Sequence, residues 1–169
     1  VTVTTAATQP PVQTGLTSTN IGNPTPAGGI NTVAAGKDYD VTIGGVDIWG
    51  TYDSFNFLSG QRTGDFDVAV RVAGLSGGGS GAMAGIMARE TLGTGSKNVH
   101  IKVKPGSYRM TYRTSTNGST VGVGEGAANQ SNAYLRLKRA GNTFTSYVSS
   151  DGVNWTQFAQ QTAVSYTHL

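Results

Sequence analysis

Hydrophobic and polar residues alternate in short runs along most of this chain, and the clearest runs lie between Tyr134 and Gln157. The segment YLRLKRAGNTFTSYVSSDGVNWTQ reads as three antiparallel strands joined by two tight turns, Gly141-Asn142 and Asp151-Gly152. Gly beside Asn or Asp supplies the positive φ angles that two-residue hairpin turns need. Counting outward from the first turn sets Leu135 against Val148 and Leu137 against Ser146 on one face. The other face then sets Arg136 against Tyr147 and Lys138 against Thr145. Counting from the second turn places Trp155 opposite Val148, on the apolar face. The segment is a β-meander with an apolar inside and a basic, partly aromatic outside.

A second hairpin is equally legible. Val99 to Lys104 and Ser107 to Arg113 flank Pro105-Gly106. Pairing across that turn sets Val103 against Tyr108, Ile101 against Met110 and Val99 against Tyr112. The opposite face carries Lys102 against Arg109 and His100 against Thr111, and the two faces agree in register. Phe66 to Ala73 alternates with Phe66, Val68, Val70 and Val72 on one side. Gly85–Glu90, Tyr39–Ile43, Val46–Trp49 and Ser54–Leu58 read as further strands, and Val1 to Thr5 alternates before Pro10-Pro11 breaks it. Thr14 to Gly29, Gly77 to Gly81, Asn117-Gly118 and the Gly122/Gly124/Gly126 stretch read as turns and loops. No segment carries helical periodicity, so the expected fold class is all-β, an antiparallel sandwich or barrel.

Composition sharpens this picture only in places. At 169 residues the chain is long enough for one domain with a proper core, and its 25 glycines suit many short strands and turns. There is no cysteine, which removes disulfides and thiolate metal sites. No apolar run reaches about 18 residues, so no membrane insertion is expected. The net charge is only +3. Its distribution is uneven: acids cluster from Asp38 to Asp67 and Lys/Arg from Arg89 to Arg139, as two electrostatic faces would require.

The blocks Asp47-Ile48-Trp49-Gly50, Gly64-Asp65-Phe66-Asp67-Val68 and Ala84-Gly85-Ile86-Met87-Ala88-Arg89-Glu90, followed by the Tyr134–Gln157 meander, resemble β-sandwich domains of the concanavalin A-like lectin/glucanase superfamily. More narrowly they resemble a secreted bacterial domain family within it, found on multidomain secreted proteins and polysaccharide-degrading enzymes. The resemblance runs from about Leu16 to Gln161. It implies a jelly-roll sandwich and an extracellular or cell-surface setting, not an activity. Residues 1–13 are then an N-terminal strand and Pro-containing linker, and residues 14–169 the sandwich. In the resembled family a last strand pair follows the position of Gln161, one strand of it much like Val-Thr-Val-Thr. Two readings of the ends stay open: a tandem array cut out of phase, or a tail (Val164–Leu169, VSYTHL) that resembles translated adapter sequence from a metagenomic contig.

Candidate chemistry is sparse. Glucanases of the resembled superfamily place paired carboxylates on one strand, as in Glu-x-Asp-x-x-Glu, for nucleophile and acid. Here Glu90 and Glu125 are the only glutamates and stand far apart in sequence, so no enzyme is expected. Asp38, Asp40, Asp47 and Asp53 could offer oxygen ligands to a structural calcium, without any recognised ligand spacing; solvated turn aspartates are the plainer reading. No other cofactor is expected. Gly77–Gly81 precedes no helix and is not a phosphate cradle. The run Ser149–Trp155 resembles the Asp-box turn of sialidase-like propellers, in which Asp caps the turn and Trp packs inward.

The basic band is the strongest functional signal. Lys102, Lys104, Arg109 and Arg113 share one face with His100, while Arg136 and Lys138 face outward beside Tyr147. Like charges directly opposite, as Lys102 and Arg109 are, call for an anionic neighbour or ligand. The band therefore reads either as a solubilising surface or as a site for a polysaccharide, an acidic one above all, with Trp49 and Tyr52 as aromatic platforms. Low net charge and few stacking aromatics make nucleic acid a poor partner. The sequence reading is a non-catalytic extracellular carbohydrate-binding or adhesion module. The alternative is a structural repeat or filament subunit, a homo-oligomer in which Val1, Thr2, Val3, Thr4 and Thr5 add to the sheet of a neighbouring copy.

Overall fold

The computed structural model describes residues 15–34, 37–128, 132–162 and 169. The alternating runs become two four-stranded antiparallel sheets. The first contains β7 (Phe66–Val72), β12 (Ala133–Ala140), β13 (Thr143–Ser149) and β14 (Thr156–Thr162), in the order β14-β13-β12-β7. The second is the meander β8 (Ala84–Arg89), β9 (Asn98–Lys104), β10 (Ser107–Arg113) and β11 (Val121–Ala127), in the order β11-β10-β9-β8. The chain thus leaves the first sheet after β7, builds the second, and returns to lay β12 beside β7. Tyr134 opposite Arg71 and Leu137 opposite Val68 set the register of that long-range closure.

The two sheets bury a common core. Val72, Leu135, Leu137 and Phe144 of the first meet Ala88, Val99, Ile101, Val103 and Met110 of the second. Both hairpin registers read from the turns hold, pair for pair: Leu135 with Val148, Arg136 with Tyr147, Ile101 with Met110, Lys102 with Arg109. The architecture is an antiparallel all-β sandwich.

A third, smaller layer lies over the far face of the second sheet. It comprises β1 (Thr17–Ile21) paired with β6 (Phe55–Ser59), and the two-residue strands β4 (Ile48–Trp49) and β5 (Tyr52–Asp53). Ile21, Ile48, Phe55 and Phe57 pack there against Met87. A separate hairpin joins β2 (Gly29–Ala34) to β3 (Asp38–Thr42). Strand β9 is consequently covered on both sides, and His100 and Lys102 are buried along with Val99, Ile101 and Val103.

Several expectations are corrected. The Thr14–Gly29 segment holds β1 rather than loop, because Ile21 supplies an apolar contact that a single residue in a polar run does not advertise. The glycine stretch from Gly122 is strand β11. There Gly124 and Gly126 leave room for the Phe158 ring, since a Cβ at either would stand only 3.2 or 3.1 Å from it. Gly79–Gly81 forms a 3-10 turn within the expected loop. Trp155 does not pair with Val148: the connection between β13 and β14 is longer than a two-residue turn, Thr156 takes that place, and Trp155 lies beside Arg136 on the outer face. The expected strand at Val1–Thr5 and the tail from Val164 to His168 lie outside the described residues. Among the described residues no helix is long and apolar enough to cross a membrane.

Candidate functional site

Three places gather the polar and aromatic residues singled out by the sequence, and their geometry differs sharply. The first is the outer face of β14-β13-β12-β7. Along β12, Leu135 and Leu137 point into the core, so Tyr134, Arg136 and Lys138 point out. Arg136 forms a two-pronged pair with Asp67 of β7, its Nε lying 2.6 Å from Oδ1. This bonding raises the guanidinium above its usual pKa. The same guanidinium lies 5.4 Å from the Tyr147 ring centroid and 5.7 Å from that of Trp155. Both distances are within cation–π range. One cation is thereby flanked by two half-buried aromatic rings and fixed by a carboxylate. Lys138 stands exposed on the same face, and Arg71, held by Asn132, reaches to 5.8 Å from the Tyr134 ring.

The second place is the buried side of β9 and β10 beneath the third layer. The expected solvent-facing basic band is absent here: Lys102 and Arg113 are only 2 % and 0 % exposed. Arg113 belongs instead to a buried ion-pair network around Asp53. Its NH1 and NH2 donate to the two carboxylate oxygens at 3.0 and 2.7 Å, and Arg89 approaches the same carboxylate at 3.3 Å. Burial lowers the Arg89 pKa to about 10, with the Arg113 charge acting in the same direction and Asp53 opposing both. Arg89 also lies 5.3 and 5.9 Å from the rings of Phe55 and Phe57. Lys102 is lowered to about 8 by burial and by the charges of Arg109 and Lys104, against the pull of Asp47. His100 falls well below its ordinary value, chiefly through burial and then through Lys102 and Arg89. The like-charge contact between Lys102 and Arg109 is relieved within the fold. Asp47 acts on the first, and the Arg109 guanidinium stacks 4.6 Å from the Trp49 ring.

The third place is a groove at the end of the small layer. It has a volume of about 470 Å³ and is lined by Asn23, Asp47, Trp49 and Tyr52. Here the aromatic pair expected from sequence comes together, as direct cross-strand neighbours on β4 and β5.

The four aspartates considered for calcium are dispersed. Asp53 is taken by two arginines, Asp38 and Asp40 sit on β3, and Asp47 lines the groove. Among the described residues no three His, Asp or Glu side chains gather as a metal site would require. Glu90 pairs with Lys97 at 2.7 Å, and Glu125 lies opposite Arg109 on the exposed strand β11.

Two participants escaped the sequence reading. Asp67 was legible in principle, since it alternates with Phe66 and Val68 and must face outward. Trp155 was not, because Asp151-Gly152 reads as a two-residue turn and the actual connection, from Ser150 to Trp155, is longer. The Asp cap of that turn is as expected: the Asp151 carboxylate accepts from the backbone N–H of Val153 and Asn154, both at 2.8 Å. The bond from the Asn154 side chain, and then those backbone bonds, hold the Asp151 pKa well below the usual carboxylate range. No known protein family, characterised protein or solved structure matches this chain.

Proposed function

We propose that this domain is a non-catalytic extracellular carbohydrate-binding or adhesion module of concanavalin A-like, jelly-roll type, and that it engages acidic polysaccharide through the outer face of β14-β13-β12-β7. The reading rests on one observation: Arg136 lies between Tyr147 and Trp155, with Lys138 exposed beside it. Aromatic faces stack against the C–H faces of sugar rings, and a rigid aromatic surface loses little conformational entropy on binding. Lys138 and Arg71 supply charge for uronate carboxylates, while Asp67 keeps Arg136 in place. Association should weaken with salt, since exposed charges are screened over roughly 8 Å at physiological ionic strength. Affinity electrophoresis in gels containing polygalacturonate or a neutral β-glucan tests this. The acidic polymer should retard the domain more, and Trp155→Ala and Lys138→Ala should each reduce the retardation. Equal retardation by both polymers would remove the claim.

Strand exchange between copies is the second reading, favoured by a specific feature of the sandwich. Among the described residues β7 pairs only with β12 and β8 only with β9, so both sheets end on the same side. An apolar groove of about 680 Å³ runs there, lined in part by Val68, Val70, Ala84 and Ile86. Unpaired strand edges recruit strands from other chains. Deleting residues 1–11 should then dissolve concentration-dependent assemblies, seen by light scattering, while the domain stays folded. Unchanged particle size on deletion removes this alternative.

A further inference from the structure

The groove at the end of the third layer has the features of a built site, and it is separate from the sheet face. Trp49 and Tyr52 stand opposite one another on β4 and β5, joined by Gly50-Thr51, and are 40 % and 55 % exposed. Tyr52 Oη donates to the Gly22 carbonyl at 3.2 Å, and the Arg109 guanidinium lies 4.6 Å from the Trp49 ring. The hairpin itself is anchored from below. The Gly50 carbonyl accepts from Arg113 NH2 at 3.1 Å, from the Thr120 hydroxyl at 3.0 Å and from the Thr120 N–H at 2.8 Å. Since Arg113 is locked to Asp53, the buried ion-pair network fixes the two rings relative to the sandwich.

The polar side chains in the groove are Asn23, Thr25, Asp47 and Ser54. Among the described residues Asp47 is the only charged one lining it, and the Arg109 guanidinium lies against the Trp49 ring. One of the Asp47 oxygens accepts the Ile48 N–H at 2.7 Å, and the other has no hydrogen-bond partner among the described residues. Asn23, exposed and with a left-handed φ of 49°, adds a carboxamide at the rim. A fixed aromatic surface, a carboxylate oxygen open to hydroxyl donors and an amide able to donate and accept together match a neutral sugar unit with vicinal hydroxyls. A uronate would bring its own carboxylate against Asp47. Sites for small ligands commonly enclose about 300–1,000 Å³, and the groove falls at the lower end of that range. It therefore suits a chain end or single unit rather than a long polymer segment.

We infer that this groove, built on Asp47, Trp49 and Tyr52, binds a neutral sugar unit independently of the sheet face, which makes the domain two-sited. The inference does not depend on the acidic-polymer reading, and its test keeps the two apart. Methyl glycosides of glucose, galactose and mannose, with glucuronate as the charged control, are titrated into the full chain while the Trp49 and Trp155 indole N–H resonances are followed by NMR. At least one neutral glycoside should shift Trp49 with millimolar affinity, leave Trp155 in place and outcompete glucuronate. Asp47→Asn keeps the acceptor for the Ile48 N–H but removes the charge that acts on Lys102, so an unchanged Trp155 resonance checks its fold; it should weaken that binding about tenfold, as should Trp49→Ala. Retardation by polygalacturonate should be unaltered in both variants. No shift of Trp49 with any neutral glycoside, stronger binding of glucuronate, or undiminished binding by Asp47→Asn would each overturn the inference.

Discussion

At the scale of single residues, the fold spends much of its polar inventory inside. Lys102 illustrates the consequence. Its folded pKa of about 8 lies below its ordinary 10.5, so burial opposes the charged form. Below about pH 8 both folded and unfolded states hold this proton, and the burial penalty is fully present. Between 8 and 10.5 the unfolded state binds more protons, so stability rises with pH until the penalty is gone. His100, pushed down by burial, acts in the same direction at lower pH, where unfolding takes up a proton. Lys102→Met keeps the packing stem and removes the charge. It should stabilise the domain by on the order of 1–3 kcal/mol at neutral pH and flatten the alkaline rise, measured by urea unfolding across that range. A variant less stable at neutral pH would mean that Lys102 makes a compensating interaction. The sequence misplaced this residue for a physical reason. Alternation tells which residues share a face, but not whether a further layer covers that face.

At the scale of elements, register was the most legible property and edges the least. Turn chemistry at Gly141-Asn142 and Pro105-Gly106 fixed every cross-strand pair in two hairpins. The bulge at Ser146/Tyr147 and the glycine strand β11 were invisible because both depend on what packs against them. Strand β11 exists since Phe158 fills the space its glycines leave, with the Phe158 ring edge-on to Tyr108 at 6.2 Å. Gly126→Val would place its Cβ 3.1 Å from that ring and add two methyls beyond it. Overpacking of this kind costs about 1–3 kcal/mol, and a lowered thermal midpoint should report it. Combining the change with Phe158→Ala should recover part of the loss. Simple additivity of the two losses would show that the ring and the glycine do not share this space.

At the scale of the whole molecule, the third layer divides the basic residues into two populations. Arg89 and Arg113 are structural, holding the layer through Asp53, and Lys102 lies buried near them. Arg71, Arg136 and Lys138 remain on the outer face of the first sheet, with Tyr134, Tyr147 and Trp155. The sequence identified the outward meander residues because their strand is covered on one side only. It merged them with the buried set because charge alone carries no depth. The two-sheet sandwich was readable from strand alternation and turns; the layer over it was not, since β4 and β5 have two residues each and β1 is mostly polar.

The outer face of the first sheet is the proposed ligand surface, and one titration addresses this directly. Oligogalacturonate added to isotopically labelled protein should perturb the Trp155 indole and the backbone amides around Arg136, Lys138 and Tyr147, progressively less as salt is raised. The Trp49 indole should stay where it is. Saturable perturbation confined to Trp49 and its neighbours, or none at all with the acidic oligomer, would contradict the assignment of that face.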